Sequence, residues 1–151
     1  MAPIPSIATT IGDAIEMSFK RHPLRKLAAI YAGGVAGALI RVGLVQAMPH
    51  AADSWPWPTF TVNMVGALAI GYLFASFRDH SPDQLHHPFA ATGICGTLTT
   101  FSTMQLELFV MVDAGHLPLA AAYCAATLAC GYLAVRIGIT AERRLTLAVG
   151  P

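Results

Sequence analysis

The residues with the most chemical content lie in one run: Thr92-Gly93-Ile94-Cys95-Gly96-Thr97-Leu98-Thr99-Thr100-Phe101-Ser102-Thr103-Met104. Glycine and threonine are weak helix formers. A helix that breaks here frees backbone carbonyls, which suit a cation, and backbone N–H groups, which suit an anion. Inside a membrane such a break is tolerated only where the backbone is buried in protein or lines a cavity. Phe101, Met104 and Leu108 follow at i, i+3 and i+7 and share one side of a helix. Packing against lipid or core accounts for Phe101 as readily as a functional role does.

Other polar groups stand alone among apolar neighbours. Asn63 follows Trp55-Pro56-Trp57-Pro58-Thr59-Phe60-Thr61-Val62, about one turn into an apolar stretch. Its amide either bonds a neighbouring helix or offers NH₂ donors to a polar path. Arg41 ends the small-residue run Gly33-Gly34-Val35-Ala36-Gly37-Ala38-Leu39-Ile40. It either snorkels to the interface or attracts anions in an aqueous vestibule. Tyr123, Thr127 and Gly131 lie at four-residue spacing, hence on one helix face. Cys95, Cys124 and Cys130 read as packed thiols. The adjacent His86 and His87 do not make a metal site. No Ser/His/Asp triad, phosphate loop or paired buried carboxylate is apparent, so the chain reads as no enzyme.

The elements that must position these groups follow from composition. Apolar residues make up 55% of the 151, and charged residues 11%, against about 25% charged in soluble proteins. A small soluble domain cannot hide that much apolar surface. Net charge is +1, which offers no electrostatic footprint for nucleic acid. A soluble enzyme, a nucleic-acid binder and a disordered chain are excluded together. The stretches Thr59–Phe77, Pro88–Leu106 and Ala114–Val135 carry no charge. As helices each is about 28–33 Å long, enough for the hydrocarbon core. Leu27–Met48 is equally long and carries only Arg41. The expected fold is an all-α membrane protein with transmembrane helices over 27–48, 59–77, 88–112 and 116–137, the third broken in mid-membrane.

Residues 1–26 form an N-terminal extension, 27–139 the membrane domain and 140–151 a cytoplasmic tail. In the extension, Ile7, Ile11, Ile15 and Phe19 recur every four residues before Lys20, Arg21, Arg25 and Lys26. An amphipathic surface helix and a flexible tail are equally compatible with that pattern. Those four basic residues, Arg78, Arg136, Arg143 and Arg144 fall on one side, and loops 49–58 and 112–116 carry no Lys or Arg. The positive-inside rule places both termini in the cytoplasm.

From Gly33 to about Ile139 these motifs resemble the Fluc (CrcB) family of fluoride channels. The resemblance rests on Gly33–Arg41, the Trp55–Asn63 helix start, Gly93-x-x-Gly96-x-x-Thr99-Thr100-Phe101-Ser102-Thr103 and the Tyr123-x-x-x-Thr127 face. It implies an antiparallel dual-topology dimer with two narrow fluoride pores. Asn63, Phe101, Ser102, Thr103, Met104, Tyr123 and Thr127 would line the pore, with Arg41 in the vestibule. It also implies a central sodium ion held by the backbone carbonyls of Gly96 and Thr99 from both subunits. The role implied is passive export, since fluoride enters cells as the neutral acid and is trapped as the anion. Met104 stands where the family's Thr-Thr-Phe-Ser-Thr-Phe box has its second Phe. The charge bias runs against dual topology. Either a homodimer forms in spite of it, which is the expectation, or a paralogue of opposite bias completes a heterodimer.

Two other classes fit the length. A proton-coupled exporter of the small multidrug-resistance type needs a membrane-embedded Glu in its first helix, but Leu27–Met48 has no acid. The only acid near a span interior is Glu107. A non-transporting assembly subunit would not need the polar run of the third span.

Overall fold

The computed structural model describes residues 23–48, 51, 53–77 and 85–149, and their regular structure is entirely helical. The expected N-terminal extension up to residue 22 and most of loop 78–87 lie outside the described residues. The helices are α1 (Pro23–Ala47), α2 (Trp57–Ser76), α3 (Pro88–Cys95), α4 (Gly96–Leu98), α5 (Phe101–Asp113) and α6 (Leu117–Val149). Of these, α1, α2 and α6 contain stretches long and apolar enough to cross a bilayer. Large apolar side chains such as Tyr31, Leu39, Phe74, Leu128 and Leu133 stand exposed along them. Water would penalise that surface, whereas lipid matches it.

Each boundary has a local cause. Pro56 precedes α2 and Pro58 sits in its first turn, where a missing N–H costs nothing. Thr100 caps α5, its hydroxyl accepting from the Thr103 amide. Pro88 opens α3, which is π-helical throughout. Such wider helices are rare and cluster at functional sites.

Two seams hold the bundle. α1 packs along α3, and α2 along α6. At the first seam the Thr97 hydroxyl donates to the Gly34 carbonyl at 2.8 Å, with the Gly93 carbonyl at 3.0 Å. A Cβ on Gly37 would run into the Ile94 carbonyl and the Thr97 hydroxyl. At the second, a Cβ on Gly138 would meet the Leu68 carbonyl and the Tyr72 amide. Small residues here let backbones touch, which is how helices associate in lipid without a hydrophobic drive.

Several boundaries differ from those expected. α1 starts at Pro23 rather than 27. The stretch 88–112, expected with one break, is divided into α3, α4 and α5, and its glycines and threonines are weak helix formers. α6 runs to Val149, so residues 140–149, expected as a tail, continue the fourth helix. Ala141, Glu142, Arg143, Arg144 and Leu145 are adequate helix formers, and no Gly or Pro intervenes before Gly150.

Candidate functional site

Between Leu98 and Phe101 the chain leaves helical geometry. Thr99 has φ −73° and ψ 149°, and Thr100 φ −144° and ψ 117°, both extended. Asn63 on α2 fills the gap. Its Oδ1 accepts from the Thr100 amide at 2.8 Å, and its Nδ2 donates to the Thr100 carbonyl at 3.1 Å. In an unbroken helix the Thr100 amide would close onto Gly96. The Thr103 amide, which would close onto Thr99, goes to Thr100 Oγ1 at 3.2 Å. The carbonyls of Gly96 and Thr99 therefore lose their i+4 donors. The Thr99 hydroxyl bonds the Cys95 carbonyl at 2.9 Å and ties off the preceding turn. At the start of α5 the Phe101 and Ser102 amides occupy the first turn, where a helix supplies no acceptor and its dipole is positive.

A second polar centre lies on the other side of α5. Glu107 accepts hydrogen bonds from the Thr59 hydroxyl and, at 2.9 Å, from the Tyr123 hydroxyl. Tyr123 is fully buried and packs with Met104, Met111 and Ala120. The Trp55 ring meets Tyr123 edge-on at 5.4 Å and Phe60 at 5.5 Å, a favoured aromatic arrangement. Two polar atoms nearby are buried and unpartnered, the Trp55 indole nitrogen and the Thr127 hydroxyl. An unmet buried donor costs about 1–3 kcal/mol, so each marks a place where a polar guest is welcome.

The structure distributes the expected residues unevenly. Met104 and Tyr123 share one cluster, Met104 being 6% exposed. Phe101 is 70% exposed and does not share that face, although the i, i+3 spacing groups it with Met104. Phe101, Ser102 and Gly96 all open off the surface of the single chain. Thr103 is half-buried beside Thr100, their hydroxyls 2.9 Å apart. Arg41 is half-buried near the end of α1 and makes no ion pair among the described residues. Asn63 takes the bonding role of its two readings with at least one of its amide hydrogens.

Sequence reasoning passed over Thr59, Thr97, Thr100 and Trp55 as individual actors, and noticed Glu107 only as an isolated acid. The signal for Glu107 was its cost: a carboxylate in a span requires partners. The identity of those partners, 48 and 16 residues away, is a tertiary fact.

Among the described residues no three His, Cys, Asp or Glu converge as metal ligands. The apolar exterior, the spans and the polar groups gathered around an extended turn define a multi-pass helical membrane protein with a polar interior. A family model described as "CrcB-like protein, Camphor Resistance (CrcB)" matches residues 28–139, and the chain belongs to that family. It is 46% identical over 128 residues to "Fluoride-specific ion channel FluC 1" of Mycobacterium bovis, covering 83% of this chain and 96% of that one. The similarly named protein of Mycolicibacterium paratuberculosis is 44% identical over 126 residues, with the same coverage. "Fluoride-specific ion channel FluC" of Hyphomonas neptunium is 38% identical over 117 residues, covering 75% of this chain and 91% of that one.

Proposed function

We propose that this protein is a fluoride-selective channel that lets fluoride leave a bacterial cell passively across its inner membrane. The observation that carries the reading is the Asn63–Thr100 clamp: it holds an extended turn between two helices and aims the positive end of α5 at the gap. Fluoride is small and strongly hydrated, so a pore must replace its water with good donors. The groups available are the first-turn amides of α5, the hydroxyls of Ser102, Thr103 and Thr127, the second hydrogen of the Asn63 NH₂, and the positive ring edge of Phe101. Tyr123 holds one wall through Glu107. Arg41 raises the local anion concentration at one mouth. Met104 gives the same cluster a thioether in place of a ring edge.

The assembly we propose is an antiparallel homodimer, the interruption of the third span lying near mid-membrane. Phe101, Ser102 and Gly96 open outward in one chain, so a second chain would cover them and supply the facing wall. Sodium fits the donor set. The carbonyls of Gly96 and Thr99 have both lost their helical donors, and no side-chain cluster competes for a cation among the described residues. Two chains would present four such oxygens, and the ion would supply positive charge that fixes the dimer centre. This chemistry is transport, so no enzymatic step is invoked.

The test is fluoride efflux from liposomes, with chloride as control. Rapid fluoride loss with chloride retained supports the reading. Equal permeation of the two, or none in folded protein, overturns it.

A further inference from the structure

The last helix outruns the bilayer. α6 has 33 residues, about 50 Å at 1.5 Å per residue, against a hydrocarbon core of about 30 Å. The turn Ala114–His116 precedes it, and we take the start of α6 as one interface. Counted from Leu117, Arg136 comes about 28 Å along, at the opposite boundary, and Arg144 about 12 Å beyond. The family match ends at residue 139, so Thr140 and Arg144 belong to a helical extension outside it.

Tyr132, Arg136, Thr140 and Arg144 recur every four residues and make one stripe. With Leu133 and Ile137 they line one open face of α6, a shallow groove between side chains of this single helix. Arg136 Nη1 donates to the Tyr132 hydroxyl at 2.9 Å, and its guanidinium carbon lies 5.8 Å from the ring centre. That contact presets the guanidinium and leaves most of its five donors available. Neither Arg136 nor Arg144 pairs with a carboxylate among the described residues. Glu142, the nearby acid, accepts from the Thr146 hydroxyl at 2.9 Å.

We propose that this groove binds an anionic phospholipid. Its phosphodiester lies between Arg136 and Arg144 over Thr140, and an acyl chain runs down Leu133 and Ile137 toward the core. The depth argues for a lipid: the cations sit at headgroup level and the apolar wall just below it. Charge argues for an anionic one, because Arg136 and Arg144 are exposed and neither pairs with a carboxylate among the described residues. A second copy of the chain suits the groove less well, since the described stretches offer few acids to meet these arginines. The inference rests on the membrane reading and is independent of fluoride conduction.

The test is native mass spectrometry of protein extracted from vesicles of equal phosphatidylglycerol and phosphatidylcholine. The parent protein should retain phosphatidylglycerol preferentially, and R136Q/R144Q should lose that preference about tenfold. R143Q, whose side chain is off the stripe, should keep it. R144Q alone, at an exposed site past the bilayer, provides a folded variant with a partial loss if the double one fails to fold. Equal retention by parent and variants, or no preference between the two lipids, overturns the proposal. So does displacement of the lipid by millimolar inorganic phosphate, which would mark a free-anion site. A changed oligomeric state in R136Q/R144Q would assign the groove to a second copy and overturn it as well. Fluoride efflux measured in parallel keeps this outcome separate from the channel reading.

Discussion

Asn63 holds Thr100 by both of its backbone groups, accepting from the amide and donating to the carbonyl across 37 residues of sequence. A side-chain amide has the same donor and acceptor pair as a peptide, so Asn63 stands in for the neighbouring turn that the chain lacks at this point. The clamp also explains why the turn stays extended. Closing it into a helix would leave Asn63 with a buried, unsatisfied amide.

Replacing Asn63 with Leu removes both bonds and leaves two backbone groups without partners. At about 1–3 kcal/mol each, the expected loss is about 2–6 kcal/mol, with fluoride efflux abolished. Asn63→Asp keeps the acceptor and loses the donor, and should fall between. Thermal unfolding in detergent and liposome efflux, measured on the dimer fraction, check this. A Leu variant with parental efflux would reduce Asn63 to a packing residue.

Exchanging sodium for a large organic cation should lower the unfolding temperature or the efflux rate, because the Gly96 and Thr99 carbonyls need a positive partner in a dry environment. A titration from millimolar sodium to none reads this directly. A flat response would remove sodium from the account.

Tyr123→Phe deletes the hydroxyl that donates to Glu107 while keeping the ring against Trp55 and Met104. The expected cost is about 1–3 kcal/mol. A double-mutant cycle with Glu107→Gln should show a coupling energy of about 0.5–3 kcal/mol. Strict additivity would mean that the bond contributes nothing.

Gly37→Ala and Gly43→Ala make a matched pair on one helix. The first places a methyl against the Ile94 carbonyl and the Thr97 hydroxyl, and the second meets nothing within 4 Å. Overpacking costs about 1–3 kcal/mol, so Gly37→Ala should unfold earlier, while Gly43→Ala should match or slightly exceed the parent. Equal melting curves would mean that the α1–α3 seam is looser than described.

Cysteine labelling at one terminus, in cells expressing only this chain, should report both orientations if the homodimer forms. Labelling from a single side, with efflux appearing only when a second chain is supplied, would replace it with a heterodimer.

Part of the architecture was legible because hydrocarbon is an unforgiving solvent: three of the four expected spans fall in α1, α2 and α6, which are long and apolar enough to cross it, and the Gly- and Thr-rich run could not sustain an unbroken helix. The π-helical geometry of Pro88–Cys95 was not legible, since no residue type in it distinguishes that turn from an α-helical one. Nor was the Glu107 centre, because partners 48 residues apart carry no periodicity. That residues 140–149 continue the helix was not legible for a simpler reason. Charge density, here at Arg136, Arg143 and Arg144, speaks to where a membrane stretch ends, and a helix need not stop there.

The outward opening of Phe101, Ser102 and Gly96 bears on how the chain behaves when dilute. In a single copy Phe101 and Ser102 stand exposed at the start of α5, and lipid offers their polar groups no partner, at a cost of several kcal/mol for each unmet N–H. That energy is released only when another polar surface closes over it. Association should therefore resist dilution: raising the lipid-to-protein ratio over several decades should leave few separated copies, and those few should be the ones the cell's proteases find first.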